Sequence, residues 1–245
     1  MGYYYGFDWT YLLLIIGMIA SGIASAKVSS TFKRYSRVGS STGMTGAEAA
    51  KRILYSEGIT DVEVQHISGS LTDHYDPTRK VVSLSDATYG STSVAAIGVA
   101  AHECGHVIQH HTGYVPLGIR SALVPVASVG SKAGIPICIL GMFLGMNPTL
   151  INLGILVFSF GVLFQIVTLP VEFDASHRAL KLVRSLGILD EAETRDTRKV
   201  LSAAAMTYVA SAFASVLSLL RLVIIFGGRR GTETVVGAGA SKRDR

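Results

Sequence analysis

The stretch SVAAIGVAAHECGHVIQHH, residues 93–111, decides how the rest of the chain is interpreted. Its first half is small and apolar, as in a buried helix, and its second half contains two histidines four residues apart. On an α-helix, positions i and i+4 lie one turn apart on one face, so His102 and His106 can converge on one metal ion. Glu103 stands beside the first histidine, and we predict that it acts as a general base towards a water molecule at that ion.

The sequence around this motif restricts the identity of a third ligand. A catalytic zinc ion usually has three protein ligands and one open position. The extended pattern with a glycine and a third histidine is absent, because Gln109 and Thr112 occupy their places. A carboxylate is the alternative, and no Asp or Glu occurs from Val107 to Val171. Glu172, the first acid after the motif, is therefore the leading candidate.

The acid-free gap belongs to a chain with the composition of a membrane protein. Hydrophobic residues make up 49% and charged residues 16% of the 245 residues, whereas about 25% are charged in typical soluble domains. The formal net charge is +5, and Lys and Arg gather beside apolar segments. This pattern indicates membrane anchoring and excludes nucleic acid as the expected partner. The two cysteines, Cys104 and Cys138, do not form a disulfide framework.

Three apolar regions are long enough for membrane spans, because about 20 helical residues cross a hydrocarbon core of about 30 Å. Residues 1–28 are predicted to form an N-terminal membrane helix, and residues 201–226 a last membrane helix. Between them, residues 121–170 are predicted to form a membrane hairpin with its turn at Asn147–Pro148. Three residues interrupt the first arm of the hairpin: Pro125, Lys132 and Pro136. The predicted fold class is mainly α, a multi-pass helical membrane protein with four membrane segments.

Residues 38–115 predict a small, water-facing α+β domain of the zincin type, which contains the motif helix. Periodicity and capping signals place its other elements: a helix from Thr45 to about Gly58, strands at 62–67 and 81–85, and a turn at 73–80. Residues 171–200 are charged with a helical pattern and are expected to carry the third ligand. Residues 227–245 predict a basic, disordered tail.

The two halves of the predicted metal site lie on either side of the apolar hairpin. Both halves must face the same side of the bilayer, so the chain between them crosses an even number of times or not at all. One hairpin over residues 121–170 satisfies this condition. Lys and Arg beside the membrane are more numerous on the motif's side, which favours a cytoplasmic site in the cell membrane, although the basic tail is evidence against it.

Three blocks in a fixed order carry a family resemblance: DHYDPTRKVVSLS at 73–85, VAAHECGHVIQH at 99–110 and LPVEFDASHRAL at 169–180. With an apolar hairpin between the last two, the chain resembles the YugP-like neutral zinc metallopeptidases of bacterial membranes over almost its entire length. The resemblance implies a zinc-dependent endopeptidase of the gluzincin type. It implies one catalytic Zn²⁺ ion, three ligands and a catalytic base at matching positions: His102, His106 and Glu172, with Glu103 as the base.

The chain departs from more distant relatives at one position. HtpX and CAAX-protease metallopeptidases, which it resembles less closely, usually have E-x-x-x-D in the third-ligand helix, and here Ser176 replaces the aspartate. A carboxylate that orients a ligand histidine is then expected at Asp174 or Asp86.

Several neighbouring residues have two interpretations. His110 continues the i+4 series but lies about 6 Å further along the helix axis, so we expect it outside the ligand set. Cys104 is expected to be a packed thiol. His74 and Tyr75 are either turn residues or oxyanion donors. The strand at 81–85 is either a core strand or an exposed edge that pairs with an extended substrate.

The predicted function is a membrane-embedded zinc endopeptidase with Glu103 as general base. Its expected partners are the lipid bilayer and a protein or peptide substrate associated with the membrane. The alternative is a non-proteolytic membrane scaffold with a structural zinc site. Replacing Glu103 by Gln discriminates between them, because a structural site does not use a glutamate that is not a ligand.

Overall fold

The computed structural model describes residues 8–227, which are mainly helical with one small sheet. The elements in chain order are α1 (Tyr11–Tyr35), α2 (Gly46–Ser56), β1 (Glu63–Ile67), β2 (His74–Asp76), β3 (Val81–Ser85), α3 (Val94–His111), α4 (Val115–Phe143), α5 (Pro148–Ser185) and α6 (Glu191–Gly227). The predicted fold class, a helical membrane protein with a small α+β part, is confirmed. The predicted tail, apart from Gly227, and the first seven residues of the chain lie outside the described residues.

In the described part of the chain, four helices are long and apolar enough to cross a membrane, namely α1, α4, α5 and α6. Their number agrees with the four predicted membrane segments. Helix α4 runs unbroken through Pro125 and Pro136, so the interruption expected in the first arm of the hairpin does not break the helix. Proline is tolerated in membrane helices because neighbouring helices and local adjustments satisfy the freed backbone groups.

The chain divides into two compact units. One unit consists of Gly22–Ala122 and Val167–Val209 and contains the sheet, α2 and α3. The other consists of the described parts of Met1–Ser21, Leu123–Ile166 and Ala210–Arg245, where the regular elements are helices. The domain boundaries expected from the sequence stay predictions.

In the helical unit, glycines bring α4 and α5 into backbone contact. A Cβ atom at Gly130 would lie 2.5 Å from the carbonyl oxygen of Val157, and one at Gly134 would lie 2.6 Å from the Cβ of Phe158. Small residues at such crossings let membrane helices pack closely. The predicted turn at Asn147–Pro148 is confirmed, since the Asn147 side chain accepts hydrogen bonds from the first backbone amides of α5 at 3.0 and 3.2 Å.

In the other unit, the three strands form a sheet with the order β1-β3-β2. β3 pairs parallel with β1 and antiparallel with β2. All residues of β3 are buried, so this strand is a central core strand and the exposed-edge interpretation is wrong. The predicted turn at 73–80 is correct only in its second half, because its first half forms the edge strand β2. Asp76 ends that strand by accepting hydrogen bonds from two following amides, at 2.9 and 3.1 Å.

Helix α2 begins at the predicted Thr45 cap, and helix α3 begins after Ser93, which also caps it. Thr45 and Glu48 form a capping box, with hydrogen bonds of 2.8 and 3.2 Å between side chain and backbone. The Ser93 hydroxyl accepts a hydrogen bond from the Ala96 amide at 3.2 Å. Each cap satisfies amides that a helix start leaves without partners. Both helices bury apolar side chains in one core with the sheet, which includes Ile53, Leu84 and Ile97.

Candidate active site

Helix α3 presents two histidines on one face. The ring centroids of His102 and His106 are 4.7 Å apart, and their side chains are 16% and 14% exposed. Their Nε2 atoms lie 3.3 and 3.6 Å from Oε2 of Glu172, which belongs to α5 and is 3% exposed. One ligand atom from each of the three residues lies within 4.8 Å of the others. The structure thus brings the three predicted ligand candidates together.

Helix α5 delivers Glu172 to this position. The helix continues from its apolar part through Pro170 into the charged sequence and ends at Ser185. The charged residues 171–200 are therefore divided between the end of α5 and the start of α6, with a short connection before Glu191. Glu172 lies two residues after Pro170, where the acid-free stretch of the sequence ends.

Small residues let α3 and α5 approach next to the three side chains. A Cβ atom at Gly105 would lie 2.5 Å from the carbonyl oxygen of Ala175. Ala175 and Ala179, one and two turns after Glu172, are 0% and 1% exposed. The close packing of backbones holds the imidazoles and the carboxylate at short distances from one another.

A hydrogen-bond network orients the ring of His106. Its Nδ1 lies 3.0 Å from Oε1 of Gln109, whose amide nitrogen donates to the Val171 carbonyl at 2.7 Å and to Asp174 Oδ2 at 2.9 Å. Asp174 also accepts a hydrogen bond from Arg178 at 2.6 Å. Because the amide oxygen of Gln109 can only accept, His106 carries its proton on Nδ1. Its Nε2 therefore directs a lone pair towards the carboxylate, and Asp174 supports this arrangement through Gln109.

The ring of His102 is held by a hydroxyl group. Its Nδ1 lies 3.1 Å from Oγ of Ser176, the residue that replaces the aspartate of more distant relatives. Asp86, one of the two carboxylates considered for this task, instead contacts Nε2 of His66 at 2.7 Å and the Gly69 amide at 2.8 Å. The expectation for Asp86 is wrong, because this carboxylate belongs to a separate hydrogen-bond group at the sheet.

The donor set fits a zinc ion. Oε2 of Glu172 is buried and has no hydrogen-bond partner among the described residues, and two imidazole nitrogens face it. A buried, uncompensated carboxylate costs several kcal/mol, and a divalent cation bound by all three atoms removes that cost. Two imidazole nitrogens and one carboxylate oxygen, with a fourth position open, form a known ligand set of catalytic zinc.

Comparison with known proteins places the chain in a family. The family model described as "Putative neutral zinc metallopeptidase" matches residues 10–227. The chain belongs to this family. The "Putative membrane protease YugP" of Bacillus subtilis (strain 168) is 47% identical over 218 residues, which make up 88% of this chain and 96% of the relative. No solved structure matches the chain.

Two cavities open at the candidate site of this neutral zinc metallopeptidase family member, each with a volume of about 240 Å³. They share a wall that includes Glu103, which is 8% exposed, and Asp73. One cavity is mainly apolar: Val28, Leu71, Val99, Leu201, Ala204 and Ala205. The other is mainly polar: His74, Tyr75, His110, Arg120 and Ser121. Glu103 therefore faces the space that a substrate would enter on either side of the three ligand candidates.

Tyr208 of α6 is a site residue that the sequence analysis missed. It lines both cavities, whose walls also include Glu103 and Glu172. In the apolar sequence AAAMTYVASA, residues 203–212, it resembles any aromatic residue of a membrane segment. No local signal distinguishes it, because its role depends on how α6 packs against α3 and α5.

Among the remaining candidates, Cys104 and His110 behave as structural residues. The thiol of Cys104 is fully buried and lies 3.6 Å from a backbone carbonyl oxygen, and burial raises the pKa of this thiol. The packed-thiol prediction is confirmed. His110 contacts the ring of Tyr75 edge-on at 6.1 Å and is outside the group of three. Nδ1 of His74 lies 2.9 Å from the carbonyl oxygen of Thr72, just before β2, and His74 also lines the polar cavity.

Replacing Gln109 by Leu is expected to weaken zinc binding by about 10- to 100-fold, the usual effect of losing a partner that orients a ligand. Leucine keeps the bulk but leaves Nδ1 of His106 without its acceptor. Competition with a chelating dye measures the affinity. Gln65→Leu on β1 is the matched control, since Gln65 contacts Ser83 within the sheet. Equal zinc affinity of the Gln109→Leu protein and the control would contradict the assigned role.

Proposed function

We propose that this protein is a membrane-embedded zinc endopeptidase of the gluzincin type. His102, His106 and Glu172 hold one catalytic ion, and Glu103 is the general base. The observation that carries the proposal is the convergence of two imidazole Nε2 atoms and a buried carboxylate oxygen within 4.8 Å. Both imidazoles use Nδ1 for other hydrogen bonds, so their free nitrogens point at the same place.

The chemistry divides between the ion and the side chains. A bound zinc ion supplies a Lewis acid that polarises the scissile carbonyl and lowers the pKa of water. Glu103 accepts a proton from the attacking water as its oxygen bonds to the carbonyl carbon. The same carboxylic acid then gives that proton to the amide nitrogen, and the C–N bond breaks. One water molecule is consumed, and a new carboxyl group and a new amine are released.

Nearby donors suit the charge that develops on the carbonyl oxygen. The hydroxyl of Tyr208 and the ring of His74 line the polar cavity beside Glu103. Donors placed before the reaction are more effective in a cavity with little water than in solution. We assign Tyr208 as the principal oxyanion donor, because it lines both cavities together with Glu103 and Glu172.

The position of β2 suggests how a substrate is held. This strand is at the edge of the sheet, and His74 and Tyr75 within it also line the polar cavity. An extended peptide can pair with such an edge through main-chain hydrogen bonds, which bind without a strict sequence requirement. Proteins or peptides near the bilayer are the proposed substrates, because the four apolar helices tether the site to the membrane. We place the protein in the cell membrane with its site on the cytoplasmic face.

An open ligand position favours catalysis over a structural role for the metal. Structural zinc sites are usually closed by four protein ligands. Among the described residues, three metal-binding candidates come together, and two cavities reach them. A carboxylate that is not a ligand, Glu103, is also present in the wall. A purely structural scaffold explains neither the cavities nor this glutamate.

Zinc removal tests the proposed function. The full-length protein in detergent is expected to cleave casein, to lose this activity completely when a chelator removes the metal, and to regain it with one equivalent of zinc. Metal content and product formation are measured on the same samples. Cleavage that continues in protein free of metal would contradict the proposal.

A further inference from the structure

A groove lies between α5 and α6, beyond the wall of the apolar cavity. Its volume is about 920 Å³, within the range of small-molecule binding sites. Three wall residues are common to the groove and the apolar cavity: Ser176, Leu201 and Ala205. The α5 side of the groove follows one helix face, with residues spaced by three or four positions: Phe173, His177, Lys181 and Arg184.

The groove is apolar at one end and cationic at the other. Phe173 and Met206 are 48% and 51% exposed, and both lie at the end nearer to the apolar parts of their helices. Lys181 and Arg184 on α5 and Arg198 on α6 lie at the other end. Lys181 is eight residues after Phe173, which corresponds to about 12 Å along the helix axis. A ligand that fits this groove therefore has an anionic group and an apolar part that are separated by about 12 Å.

The cationic end lacks acidic partners within the described part of the chain. Within residues 8–227, the side chains of Lys181, Arg184 and Arg198 form no ion pair, and no Asp or Glu lines the groove. Glu191 lines a neighbouring cavity together with Arg184 and Arg198, but Glu191 and the other acids near this end, Asp174 and Asp196, pair with other basic residues, Asp196 with Lys199 at 2.8 Å. Asp174 contacts Arg178 at 2.6 Å and Glu191 contacts Arg195 at 3.4 Å. The positive charge of this end is therefore available to an external anion.

We propose that the groove binds an anionic phospholipid of the surrounding bilayer. The phosphate lies among Lys181, Arg184 and Arg198, and an acyl chain covers Phe173 and Met206. The helices that form the groove continue into apolar segments long enough to span the membrane, so lipids reach the groove from its apolar end. An acidic soluble peptide matches only the cationic end and leaves the exposed aromatic and thioether side chains uncovered.

The test compares lipid binding by two double variants of the full-length protein in detergent. Lys181→Ala/Arg198→Ala removes two charges from the groove. Lys33→Ala/Arg37→Ala removes two exposed charges beside α1 and serves as the matched control. Dioleoylphosphatidylglycerol and dioleoylphosphatidylcholine are titrated separately, and native mass spectrometry counts the lipids retained. Zinc content and the thermal unfolding midpoint show that each variant is folded.

The groove variant is expected to bind phosphatidylglycerol about 30-fold more weakly than wild type, because each Lys or Arg near an anionic lipid strengthens binding by about fivefold. The control is expected to bind as wild type does, and Lys181→Arg/Arg198→Lys to retain binding. Equal weakening in both alanine variants, or equal binding of the two lipids, overturns the proposal. Preferential binding of inorganic phosphate or a polyglutamate peptide at the groove overturns it as well. Proteolysis is not a readout, so this result is independent of the proposed function.

Discussion

Glu103→Gln is expected to lower the rate of peptide-bond cleavage by about 10²- to 10⁴-fold, the contribution of a positioned general base. Glutamine has nearly the same shape but cannot take a proton from water. Glu103 does not belong to the group of three residues whose ligand atoms converge at the metal position. Zinc content and zinc affinity are therefore expected to equal those of the wild-type protein.

Matched variants separate the loss of a base from a general loss of structure. Glu63→Gln, at an exposed position of β1, makes the same chemical change away from the cavities and is expected to leave cleavage unchanged. The readouts are casein cleavage in detergent and zinc content by atomic emission. Wild-type cleavage by the Glu103→Gln protein, or loss of its zinc together with its activity, would show that Glu103 is not the base proposed here.

Glu172→Ala is expected to weaken zinc binding by more than about 100-fold. Loss of a group that only orients a ligand costs about 10- to 100-fold, and loss of the ligand itself costs more. The carboxylate is 3% exposed and its Oε2 lies 3.3 and 3.6 Å from the two histidine Nε2 atoms, so its removal takes away one of the three converging ligand atoms. Cleavage is expected to be lost at zinc concentrations that saturate the wild-type enzyme.

The neutral variant Glu172→Gln distinguishes coordination from packing. It keeps the volume of the side chain between α3 and α5 but removes the charge, so its zinc affinity should fall while the thermal unfolding midpoint of its zinc-free form is not lowered. Glu191→Ala is the control, because Glu191 is exposed and pairs with Arg195 at the start of α6. Zinc retained by Glu172→Ala at wild-type affinity would require a different third ligand.

Local patterns were sufficient for the features whose signal lies within one element. The four-residue spacing places His102 and His106 on one helix face, and Thr45 with Glu48 three residues later specifies the start of α2. The acid-free stretch before Glu172 points to the third ligand candidate because it leaves a single first acid. These inferences depend on backbone periodicity and on the absence of competing residues, and a sequence contains both kinds of information.

Contacts between different helices and strands could not be predicted from local sequence patterns. Gln109 reaches Val171 and Asp174, and Ser176 reaches His102, only because Gly105 and Ala175 bring two helices together. No residue in these pairs has a pattern that identifies its partner. Strand β2 was missed because three residues, His74–Asp76, are too few for an alternating pattern and lie among turn-forming residues. Such features depend on packing between segments that are distant in the chain.

X-ray absorption at the zinc edge tests the ligand set most directly. For the wild-type protein we expect two imidazole nitrogens at about 2.0–2.1 Å and a carboxylate oxygen at about 2.0–2.2 Å. In Glu172→Ala loaded with excess zinc, the carboxylate contribution should disappear while the signal of two imidazoles remains. A wild-type spectrum with three imidazoles or with sulfur, or an unchanged spectrum after Glu172→Ala, would contradict the assignment of His102, His106 and Glu172.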